Sequence, residues 1–80
     1  MRIETRTNLQ RIRRKKGLTR KALSEACGIS IRTIEGYEQR SRPIDGAGLE
    51  TLCSLATSLE CKVADLLESD TLRKKYKAVR

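Results

Sequence analysis

The chain is punctuated. Thr7, Thr19 and Ser30 each precede a short amphipathic run, and Gly17 and Gly28 close the first two runs. A hydroxyl in that place accepts a hydrogen bond from a free first-turn N–H. A glycine in that place takes the left-handed conformation that ends a helix. Helices of eight or nine residues joined by tight turns are the architecture this pattern permits.

The first helix begins after Thr7, where Thr7-Asn8-Leu9-Gln10 fits a capping box. Leu9, Ile12 and Lys16 share a face, with Arg13 beside them, and Leu18 follows as a buried anchor. The second helix carries the stripe Ala22, Leu23, Ala26 and Cys27 before Ile29 dips into the core. The third spans roughly Ile31 to Gln39. Ile34, Tyr37 and Glu38 face inward there, while Arg32, Glu35, Gly36 and Gln39 point elsewhere. Arg42 stands before Pro43 and is pushed out of helical geometry, so residues 40–43 form a loop. Asp45 is expected to cap a fourth helix, with Ile44 and Leu49 as its hydrophobic staple. Leu49, Leu52, Cys53, Leu55, Ala56 and Leu59 give that helix the broadest apolar face. After a break near Glu60-Cys61, Val63, Leu66 and Leu67 form a short fifth helix. No alternation of strand type persists, so the expected fold is all-α, a bundle of about five helices. Residues 1–68 form the domain, and 69–80 form a basic tail expected to fray or to order on a partner.

Composition narrows the function. Leu, Ile, Val and Phe are 18 of 80 residues, just above the roughly 20% floor for a highly charged folded chain. Nearly every large apolar residue is therefore needed for the core, and an enzyme with a deep pocket is the least expected class. The absence of histidine removes the commonest general base and zinc ligand. Cys27, Cys53 and Cys61 are odd in number and form no C-x-x-C pair, so neither a disulfide framework nor a metal site is indicated. They read as small apolar residues in a reducing compartment. Gly46-Ala47-Gly48 lacks the Gly-Lys-Ser/Thr of a phosphate loop. No cofactor is expected. No run approaches a membrane span and no signal peptide opens the chain, so the expectation is cytoplasmic.

The net charge of +8 is a sum of opposed regions. Residues 1–42 carry +8, residues 43–70 carry −5, and residues 71–80 carry +5. A basic N-terminal half points to a polyanion. It coincides with residues 19–38, whose order of cap, helix, Gly28, Ile29, cap and helix is that of a helix-turn-helix.

Arg13, Gly17-Leu18-Thr19, Leu23, Gly28-Ile29-Ser30, Thr33-Ile34, Tyr37-Glu38, Leu52, Leu55-Ala56 and Leu59 together resemble the lambda-repressor-like (Cro/cI-type, XRE) DNA-binding domains. The resemblance covers about residues 8–68. It implies that the second and third helices form the DNA-reading unit, with the third in the major groove. It places Arg20 where the family contacts phosphate or base, with Thr19 and Lys21 beside it at the helix start. Ser30, Ile31, Arg32, Thr33 and Gly36 fall where the family reads bases. Arg32 suits a bidentate contact to guanine. Ile31 either packs on a thymine methyl or is a partly buried staple, and Gly36 allows close approach to the duplex. Gln39, Arg40, Ser41 and Arg42 fall where the family grips phosphates. Arg13 and Glu38 match a structural ion pair.

Four positions depart from the family's pattern: Arg40 and Glu60 replace usual glycines, Ser24 a usual alanine, and Lys62 a usual cap. The expected function is a sequence-specific, double-stranded DNA-binding transcriptional regulator, a repressor. It would act as a homodimer with contacts from the C-terminal part, through Leu59, Val63, Leu67 or Leu72. The alternative is a protein-interaction module of antitoxin type, whose C-terminal segment orders on a protein partner. RNA binding ranks lower, because single-strand readers need stacking aromatics and only Tyr37 and Tyr76 are present.

Overall fold

The computed structural model describes residues 6–69. Five α-helices follow in order: α1 (Asn8–Lys15), α2 (Arg20–Cys27), α3 (Ile31–Glu38), α4 (Leu49–Leu59) and α5 (Val63–Leu66). A 3₁₀ turn, Ile44–Gly46, stands before α4, and the described residues contain no strand. The tail beyond residue 69, with Leu72 and the expected partner segment, lies outside the described residues.

The punctuation works as its chemistry requires. Thr7 accepts from the Gln10 N–H at 3.1 Å, Thr19 from Ala22 at 3.0 Å, and Ser30 from Thr33 at 3.2 Å. Gly17 at φ +75° ends α1 in a Schellman motif, with its N–H on the Arg14 carbonyl at 2.9 Å and the Leu18 N–H on Arg13 at 3.1 Å. Gly28 at φ +77° ends α2. A side chain in that region meets its own carbonyl, at about 1–2 kcal/mol. Gly28→Ala is therefore expected to destabilise the domain by about that amount, a fall of roughly 4–16 °C in Tm by thermal melting.

Two helix ends lack the glycine. Arg40 after α3 and Glu60 after α4 take positive φ themselves, 63° and 56°. At Glu60 the Schellman bonds still form, from Glu60 to Thr57 at 3.2 Å and from Cys61 to Ala56 at 3.0 Å. Left-handed backbone forms at both helix ends, and a strained non-glycine residue holds it. Ser24 is accommodated because its hydroxyl donates to the Ile29 carbonyl at 2.6 Å across the turn. At the start of α5 the Lys62 N–H donates to Asp65 at 3.0 Å, which replaces the missing hydroxyl cap.

Leu9, Leu23, Ile34, Leu52, Leu55, Leu59, Leu66 and Leu67 are sealed from solvent, and Tyr37, Ile44 and Ala56 close the core around them. Burial of Leu59 and Leu67 removes both from the expected dimer contacts. Their apolar surface is already spent inside one domain, whereas Val63 stays half-buried. Leu49 is 60% exposed and Cys53 is exposed, so neither belongs to the inner face of α4. Ala26 is likewise outside on α2.

The cause at Leu49 is the start of α4. Ile44-Asp45 turns in a 3₁₀ segment instead of opening the helix, and α4 begins after Gly48 with no side-chain cap. Leu49, its first residue, projects before the helix meets the core. Asp45 accepts instead from the Glu68 N–H at 2.8 Å, and Glu68 accepts from the Asn8 N–H at 2.7 Å. Asn8 also donates to the Leu67 carbonyl at 2.8 Å. The start of α1, the 3₁₀ turn and the end of α5 are thus clasped together.

Candidate nucleic-acid interface

The unit α2–turn–α3 is fixed from beneath by one carboxylate. Glu38, its side chain 1% exposed, takes the Arg13 Nε on Oε2 at 2.6 Å and the Arg13 Nη2 on Oε1 at 3.1 Å. Oε1 also accepts from the Arg20 Nε at 2.9 Å. Arg13 donates its third bond, at 2.8 Å, to the Leu18 carbonyl in the turn after α1. Three helices therefore meet at one point, α1 through Arg13, α2 through Arg20 and α3 through Glu38. Among the described residues no buried side-chain nitrogen or oxygen lacks a partner. Burial alone would push the Glu38 carboxyl up, but hydrogen bonds and positive charge from Arg13 and Arg20 hold it below its ordinary value.

Arg20 is placed more tightly than its sequence position reveals. Its Nη1 reaches Glu35 at 3.4 Å while its Nε holds Glu38, and the side chain is one-third exposed. Glu35 was not among the expected site residues. Its signal was an acidic residue on the outer side of a helix expected to meet DNA, which makes sense only beside a cation that neutralises it.

The remaining expected residues belong to α2 and α3 with their N-caps and to the loop that follows α3. Thr19 caps α2, and exposed Lys21 follows in its first turn, where N–H groups have no intrahelical partner. Ser30 caps α3, and its hydroxyl also lies 2.8 Å from the Thr33 hydroxyl. Ile31 is 42% exposed and Arg32 is exposed beside it at the leading end of α3. Gln39, Arg40, Ser41 and Arg42 are all exposed in the loop after α3. Arg40 turns away toward the clasp, with its guanidinium 3.5 Å from Glu68. Arg42 turns toward α3, where its N–H donates to the Gly36 carbonyl at 3.1 Å.

Burial, with Asp65 nearby, pushes the Cys61 thiol up, outweighing the pull of Lys16. Among the described residues no group of three or more potential ligands is arranged to hold a metal ion.

A family model, the Cro/C1-type helix-turn-helix DNA-binding domain, matches residues 8–71. The chain belongs to this family. No curated protein and no solved structure gives a significant match. As a Cro/C1-type domain the chain is a DNA-binding regulator of transcription, and the five-helix bundle with α2 and α3 as its helix-turn-helix is the fold expected of it. No helix among the described residues is long and apolar enough to cross a membrane.

Proposed function

We propose that the protein is a sequence-specific repressor that lays α3 in the major groove. The observation that carries this reading is the exposed pair Ile31–Arg32, standing at the leading end of a helix whose other face is locked into the core through Ile34, Tyr37 and Glu38. A reading head has to be exposed, and it has to be held still. Arg32 offers the planar fork that matches guanine N7 and O6, and Ile31 offers an apolar surface to a thymine methyl. The start of α2, with Thr19 and Lys21, and the loop residues Gln39 and Ser41 flank that head and suit phosphates. Occupancy of a promoter by such a domain represses by exclusion. The net negative charge of region 43–70 repels the duplex and so favours docking through the basic part of the chain. A homodimer on two half-sites about one helical turn apart follows from the docking geometry of such units. Operation in the cytoplasm belongs to the same reading.

Arg32→Ala is expected to cost about 1–3 kcal/mol on a cognate site and to leave binding to random duplex nearly unchanged. Fluorescence titration of both duplexes checks this. An equal loss on both would place Arg32 on phosphate and remove it as the base reader. Sedimentation of the protein at micromolar concentration, free and on its site, tests the dimer, and a single copy in both states would contradict it.

A further inference from the structure

We propose that Arg42, a loop residue, reads a base edge in place of the α3 side chain that Gly36 lacks. The inference rests on the reading of α3 as the recognition helix. One turn beyond Ile31–Arg32 the outward position of α3 is Gly36, which presents no side chain. The space above it is filled from the loop. A Cβ added at Gly36 would lie 3.3 Å from the Arg42 Cβ and 3.6 Å from the Arg42 Nε. The arginine stem therefore crosses α3 where a helix-borne side chain would start, and its guanidinium lies alongside that face.

The loop is fixed in this posture. The Arg42 N–H donates to the Gly36 carbonyl at 3.1 Å, and the Ser41 hydroxyl donates to the same carbonyl at 3.4 Å. Arg40 makes the reversal at φ 63°, and Pro43 follows with the backbone restriction of a proline. Among the described residues the Arg42 guanidinium has no carboxylate within ion-pair distance, whereas Arg13, Arg20 and Arg40 each have one. A guanidinium without an internal acid, seated on the groove-facing side of a recognition helix, has the fork that guanine N7 and O6 take. A cation that only grips phosphate needs neither the seat nor the fork.

The glycine is then the partner of the arginine. It gives up helix propensity relative to alanine, and the vacated space receives the loop. Close approach of the α3 backbone to the duplex, the sequence-based expectation for Gly36, is replaced by close approach of the loop to α3.

Selection of bound sites from random duplex DNA, run in parallel on the wild type, Arg42→Lys and Gly36→Gln, tests this. Each variant is first shown by thermal melting to fold. Arg42→Lys keeps the charge and loses the fork, so affinity for random duplex and its salt dependence should stay as in the wild type. Preference at one base-pair position should fall about 5- to 150-fold, with the positions set by Arg32 intact. Gly36→Gln, which puts a side chain on the helix where the arginine lay, should change preference at that same position. An unchanged motif for Arg42→Lys would overturn the inference, make Arg42 a phosphate-gripping cation, and leave the proposed function standing. A wild type that enriches no motif would overturn the reading on which the inference rests.

Discussion

Glu38→Ala should come close to unfolding the domain. The substitution removes the acceptor for three hydrogen bonds from Arg13 and Arg20. Arg13, its side chain 8% exposed, is left as a buried charge whose remaining bond goes to the Leu18 carbonyl. Breaking a buried pair from one side costs about 3–5 kcal/mol. A chain of this length has a total stability of about 4–12 kcal/mol. Thermal melting should show a fall in Tm of at least about 12 °C. Arg13→Ala should behave alike, because it strands the carboxylate instead, although Arg20 still answers it and softens the loss. A Glu38→Ala protein that melts within a few degrees of the wild type would show that the shared carboxylate is not what joins the three helices.

Acid acts on the same point. The folded value of Glu38 lies below its ordinary one, so its stabilisation is complete above the unfolded value and is lost as pH falls through the folded value. Urea midpoints should therefore decline on acidification from the ordinary carboxylate range downward. In Glu38→Gln, a weaker fold with no proton to gain at this position, that decline should be shallower.

The second large effect is expected at Leu23. It is the fully buried member of the α2 stripe, sealed under α3 and α4 together with Ile34 and Leu55. Leu23→Ala removes most of a buried side chain and leaves a cavity in a core of only ten large apolar residues among those described. The cost is about 2–5 kcal/mol, read as a lower urea midpoint with the slope of the transition unchanged. DNA binding should fall with the folded fraction and recover at low temperature, where the variant is still folded. A variant that stays folded and yet binds no duplex would mean that Leu23 sets the angle between α2 and α3 beyond its share of stability.

Much of this fold could be read from the chain because its helix boundaries are local chemistry. Thr7, Thr19, Ser30, Gly17 and Gly28 act within four residues of themselves, and each serves where the sequence places it. The opening of α4 was less legible. Asp45 has the chemistry of a cap, but its acceptor is taken by Glu68, 23 residues away. Leu49 continues an apolar period that begins only after it, because Gly48 starts the helix there. Arg40 and Glu60 show a different limit. Their side chains do not announce left-handed backbone, and only the family's glycines point to it.

In the candidate interface, the exposed start of α3 follows from helical period alone. What period cannot show is which cations are already occupied. Arg20 looks available in the sequence and is held by Glu35 and Glu38, while Arg42 looks like a loop charge and lies across Gly36. The first contact is made by the turn between α2 and α3, the second by the turn after α3.

The central claim, that α3 reads bases, is tested most directly by selecting sites for the wild-type protein from random duplex DNA at two salt concentrations. Phosphate contacts weaken with salt, while base contacts keep their preferences. One motif, enriched at both concentrations in two half-sites about one helical turn apart, is the expected result. Binding that is lost with salt and enriches no sequence at either concentration would contradict it.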